Sequence, residues 1–194
     1  MNLDIRLDSS DLPFVSGFPS DFSEYLLPQS EAIHFNGAIG TICIQEIRTD
    51  KYLLRHFLFL LKRKLSFHLT EKNEGLQTLL SLKGEMDYQI HGLKSIKLKE
   101  KEYVLFDAQS KGTITTINEG SFCSVLNAYY APEIYFDLLQ LFPSFKKDLN
   151  KSARKPHHFL HSPKVARYTV HDAIQAIWFD KYVQTLQKKH IELR

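Results

Sequence analysis

The chain has 194 residues, 43% hydrophobic and 24% charged, with 25 Lys and Arg against 22 Asp and Glu. That length fits one domain, or one domain with a helical extension, and the apolar content suffices for a core that needs no disulfide or metal staple. A net charge of +3 excludes the dense cationic stripe of a chain that grips DNA by itself. The longest pure apolar run, Phe57 to Leu61, is far short of the ~20 residues of a membrane helix.

The first residues, MNLDIRLDSSDLPF, carry acidic groups and no apolar stretch of the secretory kind, so they do not read as a signal peptide. Residues 1–31 hold Pro13, Gly17, Pro19 and Pro28 among Ser and Asp, with Phe14, Phe18, Phe22 and Tyr25 between them. The pattern predicts an irregular arm whose aromatics pack on the body that follows, and which in a regulator also serves as a lid over a pocket.

Strands come next. Thr41–Arg48 sets Ile42 and Ile44 on one face and Cys43, Gln45 and Ile47 on the other. Tyr52–Leu61 is apolar on both faces, as a strand covered on both sides is. Leu65, Phe67 and Leu69 alternate cleanly; Leu76–Leu82 follows, ended by Lys83-Gly84. Met86, Tyr88 and Ile90 then alternate against Glu85, Asp87, Gln89 and His91. Ser95–Leu98, Tyr103–Phe106, the Thr-rich Gly112–Asn118 and Ser121–Tyr130 complete about nine strands joined by short turns, which predicts a barrel or sandwich.

From Pro132 the pattern changes. Pro132 and Glu133 suit a first helical turn, Ile134, Leu138 and Leu141 recur at helical spacing, and Pro143 ends the segment. Residues 144–164 are basic and polar and read as a loop with at most a helical turn. Thr169 with Asp172 makes a weakened capping box for a helix lined by Ala173, Ile174 and Ile177. A last helix, from about Asp180, carries Val183, Leu186 and Ile191 or Leu193. An all-β part followed by helices predicts a mainly β, α+β fold rather than alternating units.

Catalytic motifs are missing. No G-x-S-x-G, no G-x-G-x-x-G and no G-x-x-x-x-G-K occurs. Lys146, Lys147, Lys151, Arg154 and Lys155 read as a solvated loop, because the aromatic interleaving of a nucleic-acid platform is absent. His157, His158 and His161 sit in the same loop without carboxylate support for a metal. Cys43 and Cys123 lack C-x-x-C spacing. Buried free thiols in a reducing cytoplasm are the plain reading, and a cross-sheet disulfide the alternative.

What remains is a barrel mouth, since small-molecule sites in barrels are apolar with a few convergent polar groups. Arg55, His56, His68, Tyr88, Tyr103, Asn127 and Tyr129 are the candidate ligand-binding residues. Core packing is the plain alternative for the tyrosines, and one register slip reverses which of the seven face inward.

Three stretches carry a resemblance: GTICIQEIRTDKYLLRHFLF at 40–59, LLSLKGEMDYQIHGLKSIKLKEKEYVLFDA at 79–108 and KGTITTINEGSFCSVLNAYYAPEIYFDLLQLFPSF at 111–145. With the leucine-rich strand before KGE, the Y-x-P-E helix start and the FP that closes it, the chain resembles the N-terminal effector-binding and dimerisation domain of AraC-type transcription regulators. The variety it looks like is abundant in Bacteroidetes. The resemblance implies a cupin-like double-stranded β-barrel at 32–131 behind the arm at 1–31, and a helical dimerisation and linker segment at 132–194. It implies a small-molecule effector in the barrel and a cytoplasmic homodimer. DNA is reached only through a helix-turn-helix domain that this chain lacks, and no membrane is involved. Val183, Leu186 and Ile191 are the candidate dimer contact, with burial against the chain's own barrel as the rival reading. Metal-binding cupins use H-x-H with a carboxylate and a later His. Here His34, His56, His68 and His91 are singletons, so no metal, no cofactor, no catalytic residue and no enzymatic activity are expected. A stand-alone cupin protein, either a metal-dependent enzyme or a non-catalytic interaction module, is the alternative.

Overall fold

The computed structural model describes residues 4–7, 10–70, 75–90, 95–108, 112–131 and 162–167. Its strands are β1 (Asp4–Leu7), β2 (Ser10–Asp11), β3 (Val15–Ser16), β4 (Glu31–Gly37), β5 (Gly40–Arg48), β6 (Tyr52–Leu61) and β7 (Leu65–Thr70). They continue with β8 (Gly75–Lys83), β9 (Met86–Ile90), β10 (Ile96–Leu98), β11 (Glu102–Ala108), β12 (Thr113–Ile117), β13 (Phe122–Tyr130) and β14 (Lys164–Val165). One short 3₁₀ helix spans Ser20–Tyr25.

All pairings are antiparallel, in two sheets. The smaller runs β10-β9-β12-β7-β1-β2, the larger β14-β11-β8-β13-β6-β5-β4-β3. From β6 to β13 every connection except β9–β10 switches sheet, so β6, β13, β8 and β11 lie against β7, β12, β9 and β10. That is a double-sheet jelly roll, the architecture to which cupins belong. The mainly β, cupin-like fold predicted from sequence is therefore present.

Between the sheets lies the main core, and the alternation seen in the sequence builds it. Ile42 and Ile44, Phe57 and Phe59, Leu65 and Phe67, Met86, Tyr88 and Ile90, Val104 and Phe106, Cys123 and Val125 all point into it. Tight connections close one end. At Gly40 (φ +125°) a Cβ would run into the Leu60 carbonyl, and at Gly84 (φ +75°) into that of Phe122, so only glycine lets these backbones approach.

β6 is apolar on both faces for the reason its sequence suggests. Outside the larger sheet, Phe22, Cys43 and Leu58 form a second buried cluster with Phe18, Tyr25 and Phe122. The arm thus covers the outer face of that sheet. It also departs from the expected irregular form, because β1 pairs with β7, β3 with β4, and residues 20–25 coil into the 3₁₀ turn. Two further strands escape the sequence reading. β4 has a weak alternation and mostly half-buried side chains, and β14 lies at the end of the stretch read as loop.

Cys43 and Cys123 are free, and they face opposite sides of the larger sheet, which removes the disulfide alternative. Burial pushes each thiol up to about 12. Among the described residues no helix is long and apolar enough to cross a membrane. The helices expected after Pro132, the basic and histidine-rich stretches, and Val183, Leu186 and Ile191 lie outside the described residues.

Candidate functional site

Away from the tight turns, the inner face of the larger sheet changes from apolar to polar. Glu46 continues the face of Ile42 and Ile44, Arg55 that of Phe57 and Phe59, and Asn127 that of Cys123 and Val125. The pairing aligns Glu46 with Arg55, Arg55 with Asn127, and Asn127 with Leu79. The next row reads Arg48, Leu53, Tyr129, Gln77 and Phe106. A polar band thus sits on a floor of Phe57, Val125, Leu79 and Phe106.

Its geometry is tight. Arg55 Nε donates to Glu46 Oε2 at 2.8 Å, and Arg48 Nη2 donates to Glu46 Oε1 at 3.2 Å. Arg55 is fully buried and Glu46 5% exposed, whereas Arg48 stands half in solvent. The Arg55 guanidinium lies 5.6 Å from the centroid of the Tyr129 ring. Burial pushes the Glu46 carboxyl upward, but the hydrogen bonds and charges of Arg55 and Arg48 outweigh it and hold the group below its ordinary value. Beside the pair, Asn127 Nδ2 donates to Gln77 Oε1 and to the Thr78 carbonyl, both at 3.3 Å.

A second polar cluster lies back to back with the first, on the outer face beneath the arm. Gln45 Oε1 accepts from Leu27 N at 2.6 Å, and Gln45 Nε2 donates to the Tyr25 carbonyl at 2.9 Å. A backbone N–H can only donate and a carbonyl only accept, so these partners orient the amide. His56 Nδ1 lies 3.1 Å from Gln45 Nε2, and His56 Nε2 lies 2.8 Å from Ser124 Oγ, with the tautomer deciding which ring nitrogen donates. Burial drives His56 from the ordinary 6.5 to about 3, opposed weakly by the Tyr25 carbonyl. This cluster fastens the arm.

Of the seven candidate residues, Arg55, Asn127 and Tyr129 meet in the inner band. Tyr88 lies on the inner face of the opposite sheet, buried, with its ring 5.5 Å from that of Phe106. His56 faces outward under the arm. Tyr103 pairs with Leu80, on the outer face of the larger sheet, and exposed His68 lies on the outer face of the smaller one. Glu46, Arg48 and Gln77 were not among the candidates. The signal for Glu46 was present in TICIQEIR, as a carboxylate in phase with Ile42 and Ile44. Among the described residues no three His, Cys, Asp or Glu side chains gather into a metal-holding group.

No family model matches the chain, and no curated protein matches it. The solved structures similar to it are cupin-fold proteins. An rmlc-like cupin family protein with a double-stranded β-helix fold, from Methanocaldococcus jannaschii, is 14% identical, with 63% of this chain and 94% of that one covered and a TM-score of 0.34. The AraC-like transcriptional activator CuxR is 8% identical over 79% of this chain, at a TM-score of 0.39; the match spans 54% of CuxR. An oxalate decarboxylase from Bacillus subtilis is 10% identical, with 47% and 26% covered and a TM-score of 0.34. That last likeness corrects one expectation from the sequence. Enzymes stand among the similar structures, so the exclusion of enzymatic activity is withdrawn.

Proposed function

We infer that the chain is the sensory part of an AraC-type regulator of the Bacteroidetes-like variety. Its barrel takes a small-molecule effector, and residues 132–194 provide homodimerisation and the link to a DNA-binding domain beyond this chain. The supporting observation is the inner polar band of Glu46, Arg55, Gln77 and Asn127 on an apolar floor. That composition suits a small-molecule receptor, because the floor supplies burial and a few fixed polar groups supply orientation. The effector acts by favouring one arrangement of arm, barrel and following residues, with a coupling on the order of 1–3 kcal/mol. Val183, Leu186 and Ile191 carry the dimer contact in this reading.

The gene region downstream of the Arg194 codon tests the reading. An in-frame continuation with two helix-turn-helix patterns supports it. A stop codon there overturns direct DNA binding and favours a stand-alone cupin protein, catalytic or not. Light scattering tests the dimer: Leu186→Ala with Ile191→Ala is expected to give a monomer, and an intact dimer refutes that contact.

A further inference from the structure

The two carboxylate oxygens of Glu46 are held unequally. Oε2 takes Arg55 Nε at 2.8 Å, from a side chain with none of its surface exposed. Oε1 takes both Arg48 donors, Nη2 at 3.2 Å and Nε at 3.4 Å, so these bonds crowd onto one oxygen instead of forking across both. Glu46 is 5% exposed, whereas Arg48 is 52% exposed. A guanidinium half in water and bonded at long distance adds little to stability and gives its place up readily. Arg48 also ends β5, and exposed Thr49 and Asp50 follow it, at the opposite end of the strand from the tight approach at Gly40.

Arg48 can leave without disturbing what fixes the carboxylate. Burial raises the Glu46 carboxyl, and among the contacts that lower it those of Arg55 outweigh those of Arg48. With Arg48 turned outward, Glu46 stays ionised and held by Arg55, and Oε1 faces the volume that the Arg48 head has vacated. That volume, with its path to water, is the space a ligand group takes, and its occupant shows what fits. The group seated on Oε1 is a planar cation with N–H donors. A ligand group of the same charge and donor pattern replaces it without leaving a buried carboxylate short of a partner. A hydroxyl would return one bond and no charge, and an anion would be repelled by Glu46. In the same row Leu53 lies opposite Arg48 and Tyr129 opposite Leu53, both buried, so the body beside the cation meets apolar surface.

We propose that Arg48 is an exchangeable latch on Glu46, and that Glu46 Oε1 behind it is a subsite for an organic cation, an amidinium, guanidinium or primary ammonium group on a small apolar body. The ligand's N–H groups donate to Oε1 in place of Arg48 Nη2 and Nε, and the Arg48 head moves into solvent. This deepens the small-molecule reading of the barrel and rests on it.

Benzamidine is the probe, with benzyl alcohol as its neutral relative and benzoate as its anionic one. Binding to the full chain is measured by calorimetry, and the Arg48 Nε–H signal, assigned through bonds to its backbone, is followed by ¹⁵N NMR. Benzamidine at millimolar concentration is expected to bind and to move that signal to the position of a solvated arginine. Arg48→Ala removes the competitor and is expected to bind benzamidine about fivefold more tightly than wild type. The wild-type titration stands without the variant should it fail to fold. Benzyl alcohol and benzoate are expected to leave the signal in place. Benzamidine binding that does not move the Arg48 signal, or that is no tighter in Arg48→Ala, overturns the latch. Equal shifts with benzyl alcohol or benzoate overturn the ligand class while leaving a small-molecule receptor. No binding of benzamidine to either form overturns the subsite, and the downstream gene sequence still decides the regulator reading separately.

Discussion

Gln45 and Glu46 are neighbours in sequence, as are Arg55 and His56, yet each pair divides between two opposite faces of the same two strands. On the outer face, Gln45 and His56 meet the arm backbone and Ser124 in a set of bonds that uses both ends of the amide and both ring nitrogens. On the inner face, Arg55 Nε and Arg48 Nη2 both donate to Glu46, and the neighbouring Asn127 donates to Gln77 and to the Thr78 carbonyl. A closed network rigidifies: the outer set ties the arm to the sheet, and the inner set ties strands of the sheet to one another. The difference separates a fastening for the arm from a set of bonds within the barrel, although both are buried and polar.

The largest effect is expected from breaking the inner pair. Glu46→Ala takes the carboxylate from the buried Arg55 and should cost about 3–5 kcal/mol, as removal of one partner of a buried pair does. Denaturant unfolding measures it. Replacing both partners, Glu46→Met with Arg55→Leu, should recover most of the loss, because no charge then stays in the barrel. If the single change costs less than about 1 kcal/mol, the pair behaves as a surface ion pair despite its burial.

Next in size is the outer fastening. Gln45→Leu leaves the Leu27 N–H and the Tyr25 carbonyl without their side-chain partner, at about 1–3 kcal/mol for each group that stays buried. Hydrogen exchange should quicken over residues 20–30 and stay unchanged in β7, β9 and β12. Uniform acceleration through both sheets would show that the arm and the barrel open as one unit, and the two clusters would lose their separate roles.

Much of this architecture was legible in the sequence, and the gaps have physical causes. β5 to β13 could be read because apolar residues alternate along most of them and because turns such as Lys83-Gly84 punctuate them. β4 and β14 lacked that signal: mostly half-buried side chains do not produce strong alternation, and two residues in β14 are too few to produce any. Arg55, Asn127 and Tyr129 were selected as polar groups in apolar strands, but so were His56, His68 and Tyr103. Composition cannot tell a residue on the inner face from one under the arm. Register decides that, and the register includes a shift between Ser124 and Val125 that no turn in the sequence announces. Gln77 needed the structure twice, once to face it inward and once to show its partner.

The pH dependence separates the two faces in another way. With a folded value of about 3 against an ordinary 6.5, His56 takes up a proton more readily in the unfolded chain. Its contribution is therefore fully present above 6.5 and declines as pH falls toward 3, by up to about 1.4 kcal/mol per pH unit. Glu46 is lowered as well, so its contribution is fully present above the ordinary 4.5 and is lost from there downward, as pH falls toward its lower folded value. His56→Gln keeps a hydrogen-bonding group toward Ser124 without a titrating ring. It should flatten the stability profile between pH 6 and pH 5, where Glu46 is silent. An unchanged slope there would place the proton uptake elsewhere.

The smallest change concerns no stability at all, only reactivity. Cys43 lies under the arm beside Phe22, and Cys123 in the core between the sheets. With both thiols pushed up to about 12, neither is a thiolate at pH 8, and a disulfide reagent should label the native chain slowly at both. If the arm undocks without the barrel opening, Gln45→Leu speeds labelling of Cys43 and leaves Cys123 as slow as before. Mass spectrometry of the labelled peptides reads the ratio directly. Equal acceleration at both would mean that Cys43 becomes accessible only when the core does, and the outer cluster would then be part of the barrel's own packing.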